Sequence, residues 1–178
     1  MRSTRIAYGV KYLLYVVIFL ILFALQTTPR LFEIMGVKPV LLIPAALALA
    51  VVEGEGVGAA FGAVAGLYCD LASGALFGFF AILSVILCVC AALLTANLVQ
   101  KNFKTLLLIG ISALLITQSL YFYFYYALWG YENSSLIFWS DIFPCAIYSG
   151  VLTVIFFVFF RRFSPWLTGK LKITEKNN

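Results

Sequence analysis

The chain has 178 residues, of which 64% are hydrophobic and 11% charged, with a formal net charge of +5. Soluble domains carry about 25% charged residues, so this composition excludes an ordinary soluble domain and indicates a polytopic membrane protein. Histidine is absent, which removes the commonest metal ligand and general base. The four cysteines show no metal or redox spacing. We therefore expect no catalytic residue, no cofactor, no metal site and no nucleic-acid partner.

Apolar runs in chain order predict an all-α membrane bundle of about six transmembrane segments. Residues 1–160 form this bundle, and residues 161–178 form a basic amphipathic cytoplasmic tail. The predicted full-length spans are residues 12–28, 76–99, 106–126 and 142–160. We interpret residues 12–28 as an uncleaved first helix, and Arg161 and Arg162 stop the last span.

The second and third helices are predicted to be short. Residues 39–52 would measure about 21 Å as a helix, against a hydrocarbon core of ~30 Å, and residues 57–69 are shorter still. Length leaves two alternatives open, which are two short tilted spans or a re-entrant hairpin. Glu53 and Glu55 lie between the two helices, and we interpret them as solvated loop acids.

The distribution of lysine and arginine predicts the orientation. If the two termini and the loop after residue 99 lie on the same side of the membrane, ten of the twelve basic residues lie on that side. Basic residues concentrate in cytoplasmic loops, so both termini are expected in the cytoplasm. Arg30 and Lys38 then lie on the outer side.

A glycine ladder at four-residue spacing is the most informative local pattern. Four residues is just over one helical turn, so small residues at this spacing let another helix approach closely. Packing inside the bundle and a groove for a partner subunit are both compatible with it. Asp70 occupies one position of the ladder, and we expect it to accept backbone hydrogen bonds like a helix cap or to contact a partner, rather than to relay protons. The candidate residues are Gly58, Gly62, Gly66, Asp70, Gly74 and Gly78.

Aromatic residues cluster at the outer end of the last two spans. Rings at this depth are typical of an interfacial belt, and the alternative is a docking surface for a partner's membrane helix. The belt residues are Tyr121, Tyr123, Tyr125, Tyr126, Trp129 and Trp139.

A family resemblance rests on residues 36–78. Residues 36–42 read Gly-Val-Lys-Pro-Val-Leu-Leu, with Lys38 and Pro39 at the start of the second helix. A glycine-stepped helix follows and ends in Gly-Leu-x-x-Asp at residues 66–70, before a glycine turn. This pattern resembles the MreD family of rod shape-determining membrane proteins.

The resemblance implies a non-enzymatic scaffold in the bacterial plasma (inner) membrane, which acts in cell-wall elongation and maintains cell shape during lateral peptidoglycan synthesis. The implied partners are membrane lipid and MreC, with RodA, a class B penicillin-binding transpeptidase and MreB in the same assembly. The bundle also resembles the substrate-binding S components of energy-coupling-factor vitamin transporters. Those proteins typically carry Ala-x-x-x-Ala on the first helix, whereas this chain has Ala24 alone between residues 12 and 28.

Overall fold

The computed structural model describes residues 2–29, 37–74, 76–97, 103–124 and 138–176. Within these ranges the chain forms six α-helices, and a π-helical turn at Phe138–Ile142 precedes the last of them. The helices are α1 (Arg2–Thr27), α2 (Leu42–Glu53), α3 (Glu55–Ser73), α4 (Phe79–Asn97), α5 (Phe103–Phe122) and α6 (Phe143–Lys176).

Five of these helices are long and apolar enough to cross a membrane. The candidate spans are Gly9–Thr27, Glu55–Ser73, Phe79–Asn97, Phe103–Phe122 and Trp139–Pro165. With 12 residues, α2 measures about 18 Å and is too short to cross the hydrocarbon core directly. The chain is therefore a polytopic membrane helical bundle, in which the described residues form five candidate spans and one short helix.

The short helix α2 lies at the centre of the bundle. All ten residues from Leu42 to Val51 are buried, and α2 contacts each of the other five helices. A helix that is apolar on every side can be surrounded by other helices on every side, and its four alanines allow these neighbours to approach closely. Pro44 is tolerated in the first turn, where its missing N–H has no partner inside the helix.

The expectation of a short third helix is wrong, because α3 has 19 residues and the length of a span. The polar and glycine residues on both sides of the predicted segment 57–69 suggested loops. In the structure they are helical, since Glu55 and Gly56 lie in the first turn of α3 and Asp70 lies near its end. The reversal between α2 and α3 is made at Gly54, whose φ of +99° is readily adopted only by glycine.

The last helix continues beyond the expected end of its span. Its backbone stays helical through Arg161 and Arg162 to Lys176, with Pro165 inside it. Arginine and lysine are good helix formers, so the change from apolar to basic sequence ends the candidate span without ending the helix.

Helices α5 and α6 approach each other closely at two glycines. A Cβ added at Gly110 would lie 2.6 Å from Oγ1 of Thr153, and one at Gly150 would lie 3.2 Å from the Cα of Ile111. Both contacts leave no room for a side chain. The sequence does not indicate this pair, because neither glycine belongs to a repeated spacing.

Candidate functional site

Gly58, Gly62 and Gly66, here called the glycine face, lie where α3 packs against its two neighbours. A Cβ added at Gly58 would lie 2.5 Å from the Cβ of Ala50 in α2. One added at Gly62 would lie 3.1 Å from the carbonyl oxygen of Ser84 in α4. All three glycines are buried within the chain.

The tightest contact of the glycine face is at Gly66. An added Cβ would lie 2.5 Å from the carbonyl oxygen of Phe80 and would overlap the backbone of Ala81. Backbone atoms have little freedom to move aside, so a side chain at this position must displace α4 itself. The close packing of the glycine face is therefore with α2 and α4 of the same chain.

Gly74 and Gly78 occupy a different kind of position. They lie in the connection between α3 and α4, with φ of +62° and +99°, and a Cβ at either would meet no described atom within 4 Å. Glycine is favoured here by backbone conformation, since side chains are strained at positive φ. Their participation in a partner contact stays a prediction.

Asp70 is buried, with 2% of its surface exposed, and its carboxylate lies at the start of α4. Oδ1 accepts a hydrogen bond from the backbone N–H of Phe80 at 2.9 Å. Oδ2 accepts one from Gly78 at 3.0 Å and one from Ala81 at 3.3 Å. The first N–H groups of a helix have no partner inside it and favour a negative charge, so Asp70 caps α4 from the end of α3.

The start of α2 is capped in the same way by side chains of other helices. Leu41, the residue before α2, provides no side-chain cap. Instead, the backbone N–H groups of Leu41 and Leu42 donate to Oε1 of Gln26 in α1, at 2.9 and 3.1 Å. The N–H of Val40 donates to Oγ of Ser149 in α6 at 2.9 Å. These bonds fix the buried end of α2 between α1 and α6.

Lys38 and Pro39 precede this capped end. Pro39 is buried, and Lys38 is half-buried with its Nζ donating to the carbonyl oxygen of Thr28 at 2.9 Å. The thiol of Cys145 in α6 donates to the carbonyl oxygen of Lys38 at 3.3 Å. The start of α2 is thus held against the end of α1 and the first turn of α6.

Three of the six predicted belt residues lie among the described residues. Tyr121 is half-buried and stacks on Phe80, with ring centroids 5.4 Å apart. Tyr123 and Trp139 expose 55% and 65% of their surfaces. Tyr125, Tyr126 and Trp129 lie outside the described residues. The belt stays a prediction.

Four polar side chains form a largely buried cluster at the opposite end of the bundle, with Lys11 and Tyr15 buried and Glu53 and Ser164 half-buried. Nζ of Lys11 lies 2.7 Å from Oε1 of Glu53, and their side chains are only 7% and 11% exposed. Oε1 also accepts hydrogen bonds from Tyr15 at 2.8 Å and Ser164 at 2.6 Å. The interpretation of Glu53 as a solvated loop acid is therefore wrong. This cluster of Lys11, Tyr15, Glu53 and Ser164, here called the ionic cluster, joins α1, α2 and α6.

A cavity of about 450 Å³, here called the polar cavity, opens at the Lys38 end of the bundle. The ends of α1, α3 and α5 meet the starts of α2 and α4 around it. Its walls combine amide, hydroxyl and ammonium groups with apolar side chains. They are formed by Gln26, Thr27, Lys38, Pro39, Val40, Ile43, Cys69, Ala72, Ser73, Phe80, Leu114, Gln118 and Tyr121.

A comparison with protein families gives one informative match. The family described as rod shape-determining protein MreD matches residues 8–165 of the chain. No curated protein and no solved structure matches significantly. The family match covers all five candidate spans, α2, the glycine face, both sets of caps and the ionic cluster.

Proposed function

Because the chain belongs to the MreD family of rod shape-determining proteins, we propose that it is a non-enzymatic scaffold subunit of the bacterial cell-wall elongation machinery. The observation that carries this proposal is the family match over residues 8–165 of a polytopic membrane bundle. The proposed role is to hold partners together in the plasma membrane during lateral peptidoglycan synthesis.

The buried polar groups of the bundle support a structural role. Asp70 and Gln26 bind the free N–H groups at the starts of α4 and α2. Glu53 is paired with Lys11 across two helices. Each of these side chains is engaged in fixing one helix relative to another, which is the use expected in a rigid scaffold.

The proposed direct partner is MreC, with RodA, a class B penicillin-binding transpeptidase and MreB in the same assembly. The glycine face is covered by α2 and α4, so a partner would contact other surfaces of the chain. Candidate surfaces are the predicted aromatic belt and the outward sides of the candidate spans.

Co-purification tests the proposal. The tagged full-length chain, extracted from native membranes in a mild detergent, is expected to recover MreC, identified by mass spectrometry. The control is an unrelated polytopic membrane protein with the same tag and abundance. Recovery of MreC no greater than with the control contradicts the scaffold proposal. An S component would instead recover a transmembrane coupling subunit and bind one small nutrient tightly.

A further inference from the structure

The polar cavity is lined by the cationic side chain of Lys38. None of the described residues that line it is Asp or Glu. An ammonium group has three N–H donors, of which the carbonyl oxygen of Thr28 takes one at 2.9 Å. The side-chain amides of Gln26 and Gln118 line the same cavity. Their amide nitrogens donate to the thiols of Cys69 at 3.8 Å and Cys145 at 3.6 Å, and each NH2 group has a second N–H. This donor-rich, positively charged lining suits a phosphate group.

The depth of the cavity in the bundle indicates where such a phosphate would come from. Thr27 and Ser73, which both line it, are the last residues of the candidate spans Gly9–Thr27 and Glu55–Ser73. The ends of spans lie at the boundary between hydrocarbon and headgroups, which is where the phosphates of lipids are found. Thr27, Ala72 and Ser73 are exposed, so the cavity reaches the surface at this depth.

The cavity also has the size and the mixed character that an amphiphile requires. Ligand cavities commonly measure about 300–1,000 Å³, and this one, at about 450 Å³, accommodates a headgroup rather than a whole phospholipid. Ile43, Phe80 and Leu114 add apolar wall beside the polar groups. These apolar walls can contact the first carbons of acyl chains that continue into the bilayer.

From these features we propose that the polar cavity binds the phosphate headgroup of an anionic membrane lipid, with the ammonium group of Lys38 as the charged contact. Lys38 is one of two basic residues that the charge distribution places on the outer side, where basic residues are disfavoured. A bound phosphate accounts for a lysine at this position. This site is independent of the protein partners proposed above.

The test measures binding of dioleoyl phosphatidylglycerol to the purified full-length chain in detergent, with native mass spectrometry counting the lipid molecules retained. Removing a charge-assisted hydrogen bond is expected to weaken binding about tenfold in Lys38→Gln. The matched control is Lys104→Gln, which removes an exposed lysine at the start of α5, at the opposite end of the bundle. The control is expected to bind like the parent chain. Equal binding by Lys38→Gln and the parent, or an equal loss in both variants, overturns the proposal.

A second variant addresses the cavity itself. Ala72 is exposed and lines the cavity, so Ala72→Phe fills part of the space without touching Lys38 and is expected to reduce phosphatidylglycerol binding at least tenfold. Thermal unfolding of each variant verifies that it folds. Unchanged binding by Ala72→Phe places the lipid elsewhere and contradicts the proposal.

Two further ligands define what the site recognises. Dioleoyl phosphatidylcholine, which has a phosphate but no net charge, is expected to bind at least tenfold more weakly than phosphatidylglycerol. Equal affinity for the two lipids contradicts recognition of an anionic headgroup. Glycerophosphoglycerol supplies the same phosphodiester headgroup without acyl chains and is expected not to displace the lipid. Displacement at similar concentrations would assign the site to a soluble phosphate ester and overturn the lipid assignment.

Discussion

Gly66 is the position of the glycine face where side-chain volume is least tolerated. An added Cβ meets the backbone of α4, whereas at Gly62 the nearest atoms lie at 3.1 Å and need to move only a few tenths of an ångström. At Gly56, in the same helix, no described atom lies within 4 Å. Three glycines of one helix therefore provide a graded test of close packing.

We predict that Gly66→Ala lowers the free energy of unfolding by about 1–3 kcal/mol, because overpacking forces the helices apart. Gly62→Ala is expected to have a smaller effect, and Gly62→Leu a larger one than Gly62→Ala. Gly56→Ala serves as the control and should be neutral or stabilising, because alanine is the better helix former. Unfolding in detergent micelles measures the series. Equal stability of Gly66→Ala and Gly56→Ala would show that α3 does not pack closely through Gly66.

Asp70 gives a second prediction at the scale of one residue. Asp70→Leu leaves the N–H groups of Gly78, Phe80 and Ala81 without their acceptor, at about 1–3 kcal/mol for each buried group. Asp70→Asn keeps one acceptor oxygen and is expected to retain more stability and abundance in the membrane. Thermal unfolding and quantitative immunoblotting distinguish the two. Complete and equal loss of stability and abundance in both variants would instead indicate a role that requires the negative charge.

At the scale of elements, the ionic cluster fixes the end of α2 between α1 and α6. Glu53 accepts hydrogen bonds from both neighbours, and its partner Lys11 also donates to Ser164 at 3.0 Å. Together with the caps at the other end, provided by Gln26 and Ser149, these bonds hold both ends of the central helix. A helix this short depends on such contacts for its position, since it cannot reach both membrane surfaces.

We predict that Glu53→Gln lowers the free energy of unfolding by about 3 kcal/mol, because it leaves the ammonium group of Lys11 buried without a carboxylate. The double variant Lys11→Met/Glu53→Gln removes both charges and should recover part of this loss. Glu55→Gln is the matched control, since Glu55 is exposed and should change stability by less than about 0.5 kcal/mol. The pairing is contradicted if the double variant loses as much stability as the two single variants, Lys11→Met and Glu53→Gln, lose together, or more.

The elements also differ in how far the sequence predicts them. The spacing of Gly58, Gly62 and Gly66 predicts a closely packed helix because the signal is repeated within one segment. The cap expected at Asp70 is also predictable from a short stretch of sequence, because its hydrogen-bond donors lie only 8 to 11 residues further on. The ionic cluster has no comparable signal, because Glu53 and its partner Ser164 are separated by 111 residues. The polar residues around Glu53 therefore suggested a loop. Reading polar residues as turns also made the predicted third helix shorter than α3.

At the scale of the whole molecule, the positions of the ionic cluster and the polar cavity define two ends of the bundle. Lys11, Glu53 and Ser164 lie at one end, and Lys38 lies at the other. The charge distribution predicts that the Lys11 end faces the cytoplasm. The helix order brings the basic flanks of α1 and α6 to the same end, and the side of the membrane that this end faces stays a prediction.

We predict that a reporter fused after Lys176 is active in the cytoplasm and that one inserted at Asn133 is active outside it, with the 130–140 loop exposed to the exterior. Paired reporters that require opposite compartments, such as a fluorescent protein and alkaline phosphatase, provide the internal control. Alkaline phosphatase activity at Lys176 would reverse the orientation and place the polar cavity on the cytoplasmic side.

The central claim, that this chain determines rod shape as a scaffold, is tested most directly by cell width after depletion in its native host. We expect cells to widen and round before growth stops, and plasmid copies of the parent chain and of Gly56→Ala to restore normal width. Gly66→Leu should fail to restore it, because it separates α3 from α4. Normal width after full depletion, with uptake of one nutrient abolished, would contradict the scaffold account and favour a transport protein.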